Sequence, residues 1–159
     1  MLTDEKRELY NNFYQNSSDY YIRQMELYYE NGRCSFSPAA FFLGIVWMAY
    51  RKMYTTIFII AGIIFLEAAI QELLLTYEII SMSAYEIIDK LSMLIWGIVV
   101  GAISNRLYIR QSIRKMNKIL EEHDDEERIN YAISKKGGVN WYAPNIIIVL
   151  IILLLIIGV

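Results

Sequence analysis

Residues 146–157 are all isoleucine, valine or leucine, and no other stretch limits the fold so tightly. A helix of that composition has no polar face, so it cannot form one side of a soluble core. It needs lipid, or other lipid-embedded helices, around it. From Pro144 to Val159 such a helix rises roughly 24 Å at ~1.5 Å per residue, a little short of the roughly 30 Å hydrocarbon layer. Trp141 and Tyr142 stand just before it, where amphipathic rings settle at headgroup level. The chain reads as a membrane protein.

Composition narrows the rest. The 159 residues are 56% hydrophobic and 14% aromatic, yet 20% are charged, so polar segments must alternate with apolar ones. The length suits one unit and leaves no room for a separate soluble catalytic domain. A single cysteine, Cys34, excludes an intramolecular disulfide, and a single histidine, His123, cannot build a His-based metal site alone. Cys-x-x-Cys, His-Glu-x-x-His, P-loop and Gly-x-Ser-x-Gly patterns are missing. No catalytic residue, metal or cofactor is therefore expected, and the chain does not read as an enzyme. The first 35 residues lack the apolar core of a signal peptide. Internal segments are expected to drive insertion.

Residues 1–37 read as amphipathic helices. Thr3 before Asp4 and Glu5 starts one, Ser17 or Ser18 before Asp19 starts another, and Asn31-Gly32 stops it. Tyr21, Met25 and Tyr28 recur at i, i+4 and i+7, beside Ile22 and Tyr29, which makes a broad aromatic face. That face packs on the rest of the protein or grips headgroups or a partner. Residues 38–52 hold a twelve-residue apolar helix from Ala39 to Tyr50, opened by Pro38. At roughly 18 Å it is too short to cross and suits an interfacial or re-entrant position. Residues 53–104 form a transmembrane hairpin, its second arm beginning near Ile87. Residues 105–143 continue that arm as a charged segment. Ile109, Ile113, Met116 and Leu120 form its apolar stripe, and an acidic run from Glu121 to Glu127 follows. Residues 144–159 are the last span.

Charge sets the expected orientation. Arg51, Lys52 and the cluster Arg106, Arg110, Arg114, Lys115 and Lys118 should be cytoplasmic, and the acidic Tyr77–Asp89 loop external. The expectation is an all-α polytopic protein with about three spans, one interfacial helix and a cytoplasmic helical cap. Its N-terminus lies inside and its C-terminus, Val159, outside. The rival arrangement has four crossings and an external N-terminus.

The stretch from Phe36 to Tyr54, with its Phe41-Phe42, Gly44, Trp47 and Tyr50-Arg-Lys-Met-Tyr54, resembles the signature of a family of small bacterial inner-membrane proteins with no assigned function. Gly137-Gly138 after a basic helix is a weaker echo of that family. Ser37-Pro38 and Ile45-Val46 depart from its usual pattern. The resemblance implies a bacterial origin, an inner-membrane location and a helical fold, and brings no catalytic residue or substrate.

The candidate sites follow from these segments. Glu67, with Gln71 and Glu72, places polar groups in a span, where an ionised carboxylate costs at least about 2.5 kcal/mol and needs a partner, water or a proton. Lys90 is a candidate partner, better placed for Glu72 than for Glu67. Gly97, Gly101 and adjacent Ala102 make a small-residue face for close helix packing, within the chain or between copies. Trp47, Tyr50, Arg51, Lys52, Tyr54, Trp141 and Tyr142 read as interface anchors, with Arg51 and Lys52 among phosphates. Gly44 reads as a point of close backbone approach. The five cations from Arg106 to Lys118 suit anionic lipid or a partner, whereas the adjoining acidic run argues against nucleic acid. Expected partners are thus the bilayer, a cytoplasmic protein and further copies of the chain. The functional expectation is a scaffold whose cap recruits or senses a partner. The alternative is a subunit of an oligomeric pore or small transporter using Glu67.

Overall fold

The structure, a computed structural model, describes residues 3–157; the expected external end at Val159 lies outside them. Every regular element described is a helix: α1 (Asp4–Tyr14), α2 (Ser18–Asn31), α3 (Pro38–Leu43), α4 (Ile45–Tyr50), α5 (Tyr54–Thr76), α6 (Met82–Glu122), α7 (Glu126–Lys136) and α8 (Tyr142–Ile157). The caps follow local chemistry. Thr3, Ser37, Ser81 and Asp125 side chains accept hydrogen bonds from the first-turn amides of α1, α3, α6 and α7. Gly32 ends α2 in the left-handed conformation, φ 65°. Helix α7 carries Glu126 and Glu127 at its start and Lys135 and Lys136 at its end, each complementing the helix dipole.

The single helix expected from Ala39 to Tyr50 is two. Gly44, at φ 48° and ψ −118°, breaks it between α3 and α4. A Cβ on Gly44 would meet nothing within 4 Å. Its role is therefore the backbone conformation, which L side chains adopt poorly, and not the close approach expected of it. A turn at Arg51-Lys52, with Lys52 at φ 55°, then sends the chain into α5.

Helix α6 organises the molecule. Its 41 residues rise roughly 60 Å at ~1.5 Å each, about twice the hydrocarbon thickness. Its second half, with α1, α2 and α7, forms a cap around Phe13, Tyr14, Tyr21, Met25, Ile109, Met116, Ile119 and Ile133, all at most 2% exposed. This core absorbs the α2 face that carries Tyr21, Ile22 and Met25, and Tyr29 is left exposed. Its first half and α5 make a stem of different character. Both are long and apolar enough to cross a membrane, and only 11% of the most apolar stretch of α5 and 17% of that of α6 is buried. The apolar α8, at 16 residues, is shorter than those two and packs against α4.

Candidate functional site

Three arrangements bring the sequence candidates together. The first lies in the stem. Glu67 and Gln71 share a face of α5, and Tyr85, Asp89, Ser92 and Trp96 recur at spacings of four, three and four on the facing side of α6. Gln71 Nε2 donates to Glu67 Oε1 at 2.9 Å and to Ser92 Oγ at 3.2 Å. Trp96 Nε1 donates to Glu67 Oε2. Each carboxylate oxygen thus accepts from a neutral donor. Glu67, Gln71, Tyr85, Asp89, Ser92 and Trp96 line an open groove of about 250 Å³. Glu72 is exposed and takes no part. Lys90 lies 3.9 Å from Glu86, a same-helix neighbour, and not with Glu72. Ser92 and Trp96 were not among the sequence candidates. Their signal was the period of Tyr85, Asp89, Ser92 and Trp96, which matters only once α5 is known to face it.

The second arrangement joins stem to cap. Gly101 O accepts from Ser37 N at 2.8 Å. A Cβ on Gly101 would collide with the Phe36 ring and meet Phe41 Cβ at 3.1 Å, and one on Gly97 would meet the Phe41 ring at 3.2 Å. The Gly97/Gly101 face is therefore filled within the chain by the segment that starts α3. Ala102 is exposed and outside this contact.

The third surrounds Arg51, which is 7% exposed. Its guanidinium carbon lies 4.5 Å from the centre of the Tyr21 ring, 5.3 Å from Tyr50 and 5.5 Å from Tyr108, and Nη2 donates to Ser17 Oγ at 3.1 Å. Delocalised charge over aromatic faces stabilises a buried cation. Nε and Nη1 of Arg51 and the Tyr108 hydroxyl have no hydrogen-bond partner among the described residues. Burial pushes the Tyr21 and Tyr108 hydroxyls above the usual tyrosine range, against the pull of the Arg51 charge. Tyr14, bonded to Ser112 Oγ at 2.5 Å, is also pushed up, chiefly by burial.

Arg51 is thus not a headgroup anchor. The break at Gly44 and the turn at Lys52 fold the motif inward, so Trp47, 5% exposed, also enters the core beside Tyr108. Half-buried Lys52 donates to the carbonyls of Lys135 and Gly137, at 3.1 and 2.5 Å, capping α7. Of the remaining anchors, half-buried Tyr50 also borders Arg51, and Tyr54 lies on the surface. Tyr54 OH accepts from Asn140 Nδ2 at 2.7 Å, Tyr50 meets Trp141 edge-on, and Trp141 and Tyr142 are exposed. The basic residues also divide. Arg106, Arg110, Arg114 and Lys118 form one exposed stripe of α6. Lys115 turns inward, its pKa lowered by burial and then by the nearby charges of Lys52 and Lys136. Among the described residues no cluster of three ligating side chains suits a metal ion, and His123 stands just past the end of α6 in extended conformation.

A family model described as "Protein of unknown function (DUF2628)" matches residues 7–114, and the chain belongs to that family. The match takes in the Arg51 cage, the glycine contact and the stem groove. Gly137-Gly138, α7 and α8 lie beyond it. No curated protein and no solved structure matches the chain.

Proposed function

We propose that this member of a family of unknown function is a membrane-anchored interaction protein of the bacterial inner membrane, whose cytoplasmic cap recruits or senses a protein partner. In this reading α5, the first half of α6 and α8 cross the bilayer, and α3–α4 fold at the cytoplasmic interface. The observation that carries it is the division of the molecule. The cap closes its own aromatic core, whereas the stem leaves its apolar faces uncovered. Lipid is the cover that satisfies such faces without further protein. The Arg106–Lys118 stripe leaves the stem on the cap side, as the positive-inside bias requires of a cytoplasmic cap.

The cap also offers a groove of about 300 Å³ between α1 and the α6–α7 junction, where Glu5, Glu8, Asp124 and Glu126, with Asn12 and Asn130, stand beside the apolar Leu9, Leu120 and Ile129. Its chemistry suits a basic segment of a partner. Phe36 and Phe41 lie against Gly97 and Gly101 from within the chain, which favours this reading over the oligomeric pore.

Topology and recruitment are tested together in cells. Single cysteines at Asn12 and Tyr77, in a Cys34→Ser chain, should be shielded from and open to an impermeant external thiol reagent, respectively. A photocrosslinker at Asn130 should trap one protein reproducibly, and Glu8→Lys with Glu126→Lys should abolish that adduct. External labelling at Asn12, or an adduct indifferent to both charge reversals, would overturn the proposal.

A further inference from the structure

The groove in the stem takes no part in the cap's recruitment of a partner, but it rests on the reading that α5 and the first half of α6 cross the bilayer. We infer that the groove is a binding site for a lipophilic organic cation. Glu67 and Asp89 both border it. Glu67 is held by neutral donors, Gln71 and Trp96, which solvate its charge without cancelling it. Each carboxylate oxygen has acceptor capacity beyond one hydrogen bond. No lysine or arginine borders the groove. The nearest lysine in sequence, Lys90, faces Glu86.

A carboxylate in a low-dielectric stem attracts a cation strongly, and the walls decide which kind. Ile64 and Met93 are apolar, and Tyr85 and Trp96 present aromatic rings, whose faces attract cations. A hard divalent ion would instead want six or more oxygen ligands, and among the described residues no group of three His, Cys, Asp or Glu side chains is gathered to begin such a set. The ligand that matches is a monovalent cation carrying its own apolar bulk, with its charge between Glu67 and Asp89 and its body against the rings. At about 250 Å³ the open groove holds the greater part of such an ion, and the lipid-facing side receives the remainder.

The test uses the full chain in mild detergent, dialysed to equilibrium with tetraphenylphosphonium or with tetraphenylborate, an anion of the same shape. Protein-free micelles provide the background. Saturable uptake of the phosphonium and none of the borate is expected. Glu67→Gln and Asp89→Asn should each weaken phosphonium binding about tenfold, about 1.4 kcal/mol, and Lys90→Ala should leave it unchanged. Equal uptake of the two ions by the unaltered chain, or an unchanged phosphonium affinity in Asp89→Asn, would overturn the inference. Glu67 also holds Trp96, so those two measurements decide the matter even where Glu67→Gln fails to fold.

Discussion

Replacing Gly137 by alanine probes the join between α7 and α1. The added Cβ would stand 2.5 Å from the Phe13 carbonyl oxygen, 2.8 Å from that of Ile133 and 3.0 Å from Phe13 Cα. All three atoms are backbone and cannot swing aside. Gly137 itself has φ −84°, which alanine adopts freely, so the effect is purely steric. Relief requires the end of α7 to move off α1. That movement breaks the hydrogen bond from Gly138 N to Phe13 O, 2.7 Å, and pulls the Gly137 and Lys135 carbonyls from Lys52 Nζ. With about 1 kcal/mol for the neutral bond and about 2 kcal/mol for the charged cap, the loss is about 3 kcal/mol. Each 1 kcal/mol moves the midpoint of a chain of this size by about 2–4 °C, so the melting temperature followed by circular dichroism should fall by about 6–12 °C. Gly97→Ala is the matched control. Its nearest neighbour is the Phe41 ring at 3.2 Å, which can turn, and alanine is the better helix former by about 1 kcal/mol. A Gly137→Ala midpoint within about 2 °C of the parent would refute this account of the join.

Three further outcomes are expected. Arg51→Ala should cost about 2 kcal/mol or more, from the lost ring contacts and the Ser17 bond, and Arg51→Lys should recover less than half because an ammonium cannot stack as the planar guanidinium does. Insertion topology, read by thiol labelling, should be unaltered in both, and an inverted topology would restore the headgroup role. Burial holds the hydroxyls of Tyr10, Tyr14, Tyr21 and Tyr108 above the ordinary tyrosine pKa of about 10. Their folded state therefore holds protons that the unfolded state releases. This contribution is complete below pH 10 and declines as pH rises toward the folded values, so absorbance at 295 nm should show these four ionising only as the helices melt. Gly97→Cys, in a Cys34→Ser background, should give no disulfide-linked dimer under oxidation, because Phe41 covers that position, and efficient dimer formation would place the face between copies.

Much of this molecule is legible in short-range pattern. The cap at Thr3, the stop at Gly32 and the apolar stripe from Ile109 to Leu120 depend on neighbours a turn or two away, and local chemistry settles them. The apolar length of α5 and of the first half of α6 is likewise a property of the residues themselves. Arg51 and Lys52 misled for the same reason. A cationic pair after an apolar, aromatic run has the composition of a headgroup anchor. What withdraws Arg51 is a cage built by Tyr21, Tyr50 and Tyr108 from three separate helices.

The sequence by itself determined that every described element is a helix and that α5 and the first half of α6 are long and apolar enough to cross a membrane, because hydropathy and capping act within one segment. Only the tertiary structure decided that Glu67 has Trp96 as a donor, that Phe36 and Phe41 fill the Gly97/Gly101 face, and that Lys52 closes α7. Those contacts join residues from 29 to 85 positions apart, and their existence depends on how rigid helices cross. No periodicity within a single helix encodes that geometry.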